Sequence, residues 1–198
     1  MYGKLYLKNH IHMNTKTSDK FSIYAKNRAL YTTLVLALWF FLVLAYYPFQ
    51  WFLVWPLIFF YSILLVNTFF SIRSFASLTP KENIIQQAID VLLFLSMVAL
   101  PVLFFVPIIF IILTLFLFIT ATLKYIFLVL VVGFSKLLYW KIKVDTLGIL
   151  LCFLTLVGIL FGFEHISIVI FALTFFLANI YVLWWNPLYI LELHEQVI

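Results

Sequence analysis

This sequence predicts an all-α, polytopic membrane protein with six transmembrane helices arranged as three hairpins. Three observations carry that reading. Apolar residues make up 67% of the 198-residue chain, charged residues only 10%, and mean hydropathy is +1.20. A soluble domain averages about 45–50% and 25%, so the chain is dissolved in a bilayer. The apolar runs are continuous rather than alternating every second residue, which selects helices and excludes a barrel. The basic residues cluster on alternate connections, as the inside loops of a multi-pass protein require.

The first element is a basic arm, residues 1–28. It holds Lys4, Lys8, Lys16, Lys20, Lys26 and Arg28 against one acid, Asp19, which equals the whole formal net charge of +5. Positive-inside topology accounts for this charge, so nucleic acid is not an expected partner. Near anionic lipid each basic residue contributes up to about 1 kcal/mol, and FSIYAKNRAL has the pattern of a weakly amphipathic surface helix.

The transmembrane domain follows over residues 29–186. The first hairpin spans 29–47 and 51–72, turning at YYPFQ. The second spans 89–105 and 107–127, turning at FFVP, with Pro107 in the first turn of its helix and Pro101 kinking the span before it. The third spans 146–163 and 166–185, turning at GFEH. About 20 residues at ~1.5 Å each cross a ~30 Å hydrocarbon core. Residues 187–198 form a short tail. Val43 and Ala45 have the spacing of a signal-peptide cleavage site. The long basic stretch before the run and the second span directly after it favour an uncleaved first helix.

Orientation comes from the loops. The arm, the 73–90 loop and the 136–145 loop hold eleven of the twelve basic residues, and the three hairpin turns hold none. Both termini are therefore expected in the cytoplasm, in a plasma membrane of the bacterial kind. Trp51, Trp55, Trp140, Trp184 and Trp185 fall near span ends, as an aromatic belt requires. With five glycines and 24 phenylalanines, helix packing is expected to rely on Phe and Leu rather than small-residue crossings.

The twelfth basic residue, Lys124, interrupts LTLFLFITATLKYIFLVLVV. It lies about 27 Å along the fourth span, within a turn of the expected boundary, so its stem is expected to carry the ammonium out to the headgroups. Residues 125–135 then either continue the helix, lie in the interface or re-enter. Asp90 and Asp145, in the similar contexts QAIDVLLF and IKVDTLGIL, are expected to cap the third and fifth spans. Lys81 and Lys136 share their offset, a weak internal echo. Asn67 and Asn179 are expected to hydrogen-bond neighbouring helices. Asn67, Asp90, Lys124, Asp145 and Asn179 all fall on the cytoplasmic side, and if they converge they form a polar vestibule there.

Catalytic signatures are missing. There is no GxSxG elbow, no i,i+4 histidine pair, no glycine-rich phosphate loop and no DxxxD pair. The lone Cys152 sits in an apolar run and reads as a small buried side chain. No enzyme activity, cofactor or metal is expected. The leading functional expectation is a structural or accessory subunit that packs against other membrane proteins or itself within the lipid bilayer. The alternative is a transporter of a small solute or ion, with its site between hairpins.

Overall fold

A computed structural model describes residues 3–46, 51–75, 83–133 and 135–181. They form six helices in chain order: α1 (Gly3–Tyr46), α2 (Trp51–Phe75), α3 (Ile84–Val102), α4 (Pro107–Val132), α5 (Lys136–Leu160) and α6 (Glu164–Ile180). There is no strand among the described residues. Five of the helices are long and apolar enough to cross a membrane, and α6 is apolar over the 17 residues described. The chain is an all-helical protein of the membrane type. The expected turn at 47–50, the basic Lys81, Trp184, Trp185 and the tail lie outside the described residues.

The exposed surface supports the same solvent. On α4, Ile109, Ile112, Phe116, Ile119, Leu123 and Ile126 recur every three or four residues, and all are exposed. Phe110, Thr114, Leu117, Phe118 and Tyr125 fill the opposite face and are buried. A helix with no charged outer face is suited to lipid, not water.

Helix boundaries differ from the sequence reading where local capping decides them. α3 starts at Ile84 rather than 89, because the Asn83 side chain accepts hydrogen bonds from the backbone N–H groups of Ile85 and Gln86 (3.0 and 3.2 Å). α5 starts at Lys136 rather than 146, because Ser135 Oγ accepts from the Leu138 N–H (3.2 Å). The expected caps, Asp90 and Asp145, therefore lie inside their helices, past the first turn. α4 runs past Lys124 to Val132 and ends at Gly133, whose N–H donates to the Val129 carbonyl (2.9 Å). Residues 125–132 thus continue the helix. The boundary drawn at residue 28 falls within α1.

The α3–α4 and α5–α6 turns fall where FFVP and GFEH predict them, and Pro107 occupies the first turn of α4. Gly162 closes the α5–α6 turn at φ 85°, a left-handed conformation that glycine adopts without Cβ strain. Successive helices pack as pairs, but α4 also packs along α5, α2 on α6 and α1 on α3. The hairpins are thereby joined into one bundle. Its core is aromatic: fully buried Phe60 has ring centroids 4.5 Å from Phe175, 4.6 Å from Phe171 and 5.9 Å from Phe110.

Pro101 has a consequence for packing. It lies in the last turn of α3, and its missing N–H leaves the carbonyl of Met97, four residues earlier, without its helical donor. Buried Tyr61 on α2 supplies the replacement, its hydroxyl donating to Met97 O at 2.8 Å. Trp39 on α1 donates to the next carbonyl, Val98 O, also at 2.8 Å. A neighbouring helix thus satisfies the backbone group that proline frees, as lipid cannot. Tyr61→Phe is expected to cost about 1–2 kcal/mol, since the acceptor stays buried and unpaired. Unfolding in mixed detergent micelles measures this, and an unchanged midpoint would refute it.

Candidate functional site

A cavity of about 350 Å³ opens among α1 to α5 at the end of the bundle away from the α3–α4 and α5–α6 turns. Each helix contributes one face at i, i+3, i+4 spacing. α1 presents Arg28, Thr32 and Leu36; α2 presents Leu64, Asn67, Thr68 and Ser71; α3 presents Asp90 and Met97. α4 presents Leu117, Ala121, Lys124 and Tyr125, and α5 presents Lys141 and Asp145. Along α1, Arg28 and Leu36 lie about 12 Å apart at ~1.5 Å per residue. The charged lining residues thus lie toward the outer end, beside Ile72 and Phe75 in the last turn of α2, and Leu36, Leu64, Met97 and Leu117 line the inner end.

The charged groups form two clusters. Asp90 bridges two cations: its Oδ1 accepts from Lys124 Nζ at 2.6 Å, and its Oδ2 accepts from Arg28 Nη2 at 3.1 Å. Lys124 is mostly buried, its side chain 12% exposed. It turns inward to α3, so the snorkelling expectation gives way to an ion pair. The fully buried Gln86, one turn before Asp90, holds the same crossing by donating to the Lys124 carbonyl (3.4 Å).

The second cluster is deeper. Lys141 Nζ donates to Asp145 Oδ1 at 2.9 Å, and the two residues are 5% and 1% exposed. The other carboxylate oxygen, Asp145 Oδ2, is buried and has no hydrogen-bond partner among the described residues. Tyr125 contacts both clusters. Lys124 Nζ lies 6.0 Å and Lys141 Nζ 5.6 Å from its ring centroid, and its hydroxyl shares a 2.6 Å hydrogen bond with Ser71. Both ammoniums are within cation–π range of one ring.

Four of the five residues expected at a vestibule line this cavity: Asn67, Asp90, Lys124 and Asp145. Asn179 does not. It is buried on α6, and its Nδ2 donates to the Phe175 carbonyl of its own helix (2.8 Å), not to a neighbouring one. Sequence reasoning missed Arg28, Lys141 and Tyr125. The Lys141–Asp145 i,i+4 spacing is a legible signal, masked by the lysines of 136–145 that give this stretch the character of a loop. Arg28 has the character of the basic arm, although Arg28, Thr32 and Leu36 share one helical face.

Among the described residues no group of three His, Cys, Asp or Glu side chains is placed to hold a metal ion. No protein-family model matches the chain, and neither a curated protein nor a solved structure matches it.

Proposed function

We propose that the protein is a solute-binding membrane protein of the transporter class, with its cavity opening at the basic end of the bundle toward the cytoplasm. One observation carries this reading: five charged side chains from four helices surround an open space inside an otherwise apolar bundle. Removing charges from water is costly, and an ion pair is often no more stable than an apolar replacement. Charges held inside a membrane bundle characteristically mark a substrate path. The cavity lies within the usual size range for small-molecule sites. Binding is favoured over catalysis, because both oxygens of Asp90 are held by cations and the described lining contains no histidine or cysteine.

The expected accessory role remains a second reading, favoured by the pairing of each lining carboxylate with a lysine. On that reading the network staples helices together. Cysteine labelling separates the two. In a Cys152→Ser background, Ser71→Cys and Ala121→Cys face the cavity, whereas Val66→Cys and Ile119→Cys face outward. A membrane-impermeant maleimide applied to inverted vesicles is expected to label positions 71 and 121 and leave 66 and 119 unlabelled. Lys81→Cys and Glu164→Cys serve as inside and outside controls. A staple leaves 71 and 121 as silent as the outward pair.

A further inference from the structure

We propose that the occupant is a small zwitterion with an apolar tail, of which an apolar α-amino acid is the simplest form. This rests on the reading of the cavity as a solute site and adds the chemical class of the solute.

The anionic half of the ligand is specified by Arg28 and Lys124. A guanidinium has five N–H donors and an ammonium three. In this structure each spends one on the shared carboxylate of Asp90. Two cations on one carboxylate leave a positive excess and unspent donors on residues that line the cavity, the arrangement that accepts a second carboxylate. The cationic half is specified by Asp145. Its Oδ1 is taken by Lys141, but Oδ2 is buried, has no hydrogen-bond partner among the described residues and belongs to a residue that lines the same cavity. A buried acceptor without a donor is costly to leave so, and an ammonium supplies that donor.

The tail is specified by the inner end, where Leu36, Leu64, Met97 and Leu117 line the space. Size narrows the class further. At about 30 Å³ per water, 350 Å³ corresponds to roughly a dozen water-sized groups. That suits leucine or phenylalanine and is too small to enclose a two-chain lipid. Simpler ligands fit less well. A plain carboxylate leaves Asp145 Oδ2 unmet, a plain amine faces three lining cations against two carboxylates, and glycine leaves the aliphatic end unfilled.

The test is equilibrium binding of radiolabelled L-leucine to the full chain in lipid nanodiscs, with competition by three probes. These are 4-methylpentanoic acid, which lacks the ammonium; isoamylamine, which lacks the carboxylate; and glycine, which lacks the tail. Leucine is expected to bind, with the two singly charged probes at least about 10-fold weaker, since one lost charged contact is worth at least 1.4 kcal/mol. Glycine is expected at least about 10-fold weaker through the lost burial of the apolar tail. Ala121→Trp, which fills the cavity, is expected to abolish binding, and the outward Ile119→Trp to leave it unchanged. If 4-methylpentanoic acid competes as well as leucine, the zwitterion assignment is overturned while the cavity reading stands. The same holds if leucine fails to bind although positions 71 and 121 label. Silence at both positions together with no binding overturns both readings.

Discussion

Lys141→Met is expected to lower the stability of the bundle by about 3–5 kcal/mol, the largest effect of any single substitution at the site. The cause is the orphaned partner. Asp145 is only 1% exposed and its Oδ2 has no hydrogen-bond partner among the described residues, so removing the ammonium leaves a buried carboxylate without its hydrogen-bonded cation. The pair does not exist for helix propensity, because lysine N-terminal to the acid is the less favourable i,i+4 order. Two further variants make the argument specific. Adding Asp145→Asn to Lys141→Met is expected to recover all but about 1 kcal/mol, since neither position then carries a buried charge. Asp145→Asn alone is expected to cost less than Lys141→Met alone. Lys141 lies near the start of α5, its ring contact with Tyr125 persists, and its long stem can carry the ammonium outward. Unfolding midpoints in mixed micelles measure all three. Equal losses for the two single variants would show that the pair, not the buried carboxylate, sets the energy.

Asp90→Ala is the second large effect, expected at about 2–3 kcal/mol. It removes the shared partner of two cations, and the two contribute unequally. The Arg28 side chain is 41% exposed and reaches solvent, so its share is small, as for exposed pairs generally. The Lys124 side chain is 12% exposed and carries most of the cost. Adding Lys124→Met to Asp90→Ala is therefore expected to restore most of the stability, whereas adding Arg28→Gln restores little. The reverse order of rescue would place the energy on α1 instead of α4.

Much of the architecture was legible along the chain. The turns at FFVP and GFEH, the first-turn position of Pro107 and the apolar faces of α4 all follow from residue chemistry that acts locally. Element starts were less legible. Lys136, Lys141 and Lys143 made the beginning of α5 read as a solvated loop, although Ser135 was there to cap it. The lysine at 141 is tolerated inside the helix because Asp145 and Tyr125 receive it, and both contacts depend on the fold. Asn67 and Asn179 looked alike in sequence, each an amide in an apolar run. One lines the cavity and the other bonds back to its own helix, a difference set by how α2 and α6 are rotated.

The sequence by itself determined the solvent and the helical class. Transfer free energies add along the chain whatever the packing, and 67% apolar residues in continuous runs leave no aqueous alternative. It also determined that most charge gathers at one end of the spans. Tertiary structure alone decided which of those charges meet. In a soluble helix, polar periodicity tells the inward face from the outward one at about 100° per residue. These helices are apolar on both faces, so that signal is missing. The rotation of each helix, and with it the pairing of Arg28 and Lys124 with Asp90 and the inward placing of Asp145, comes from Phe and Leu packing and from crossings such as Tyr61 on Met97.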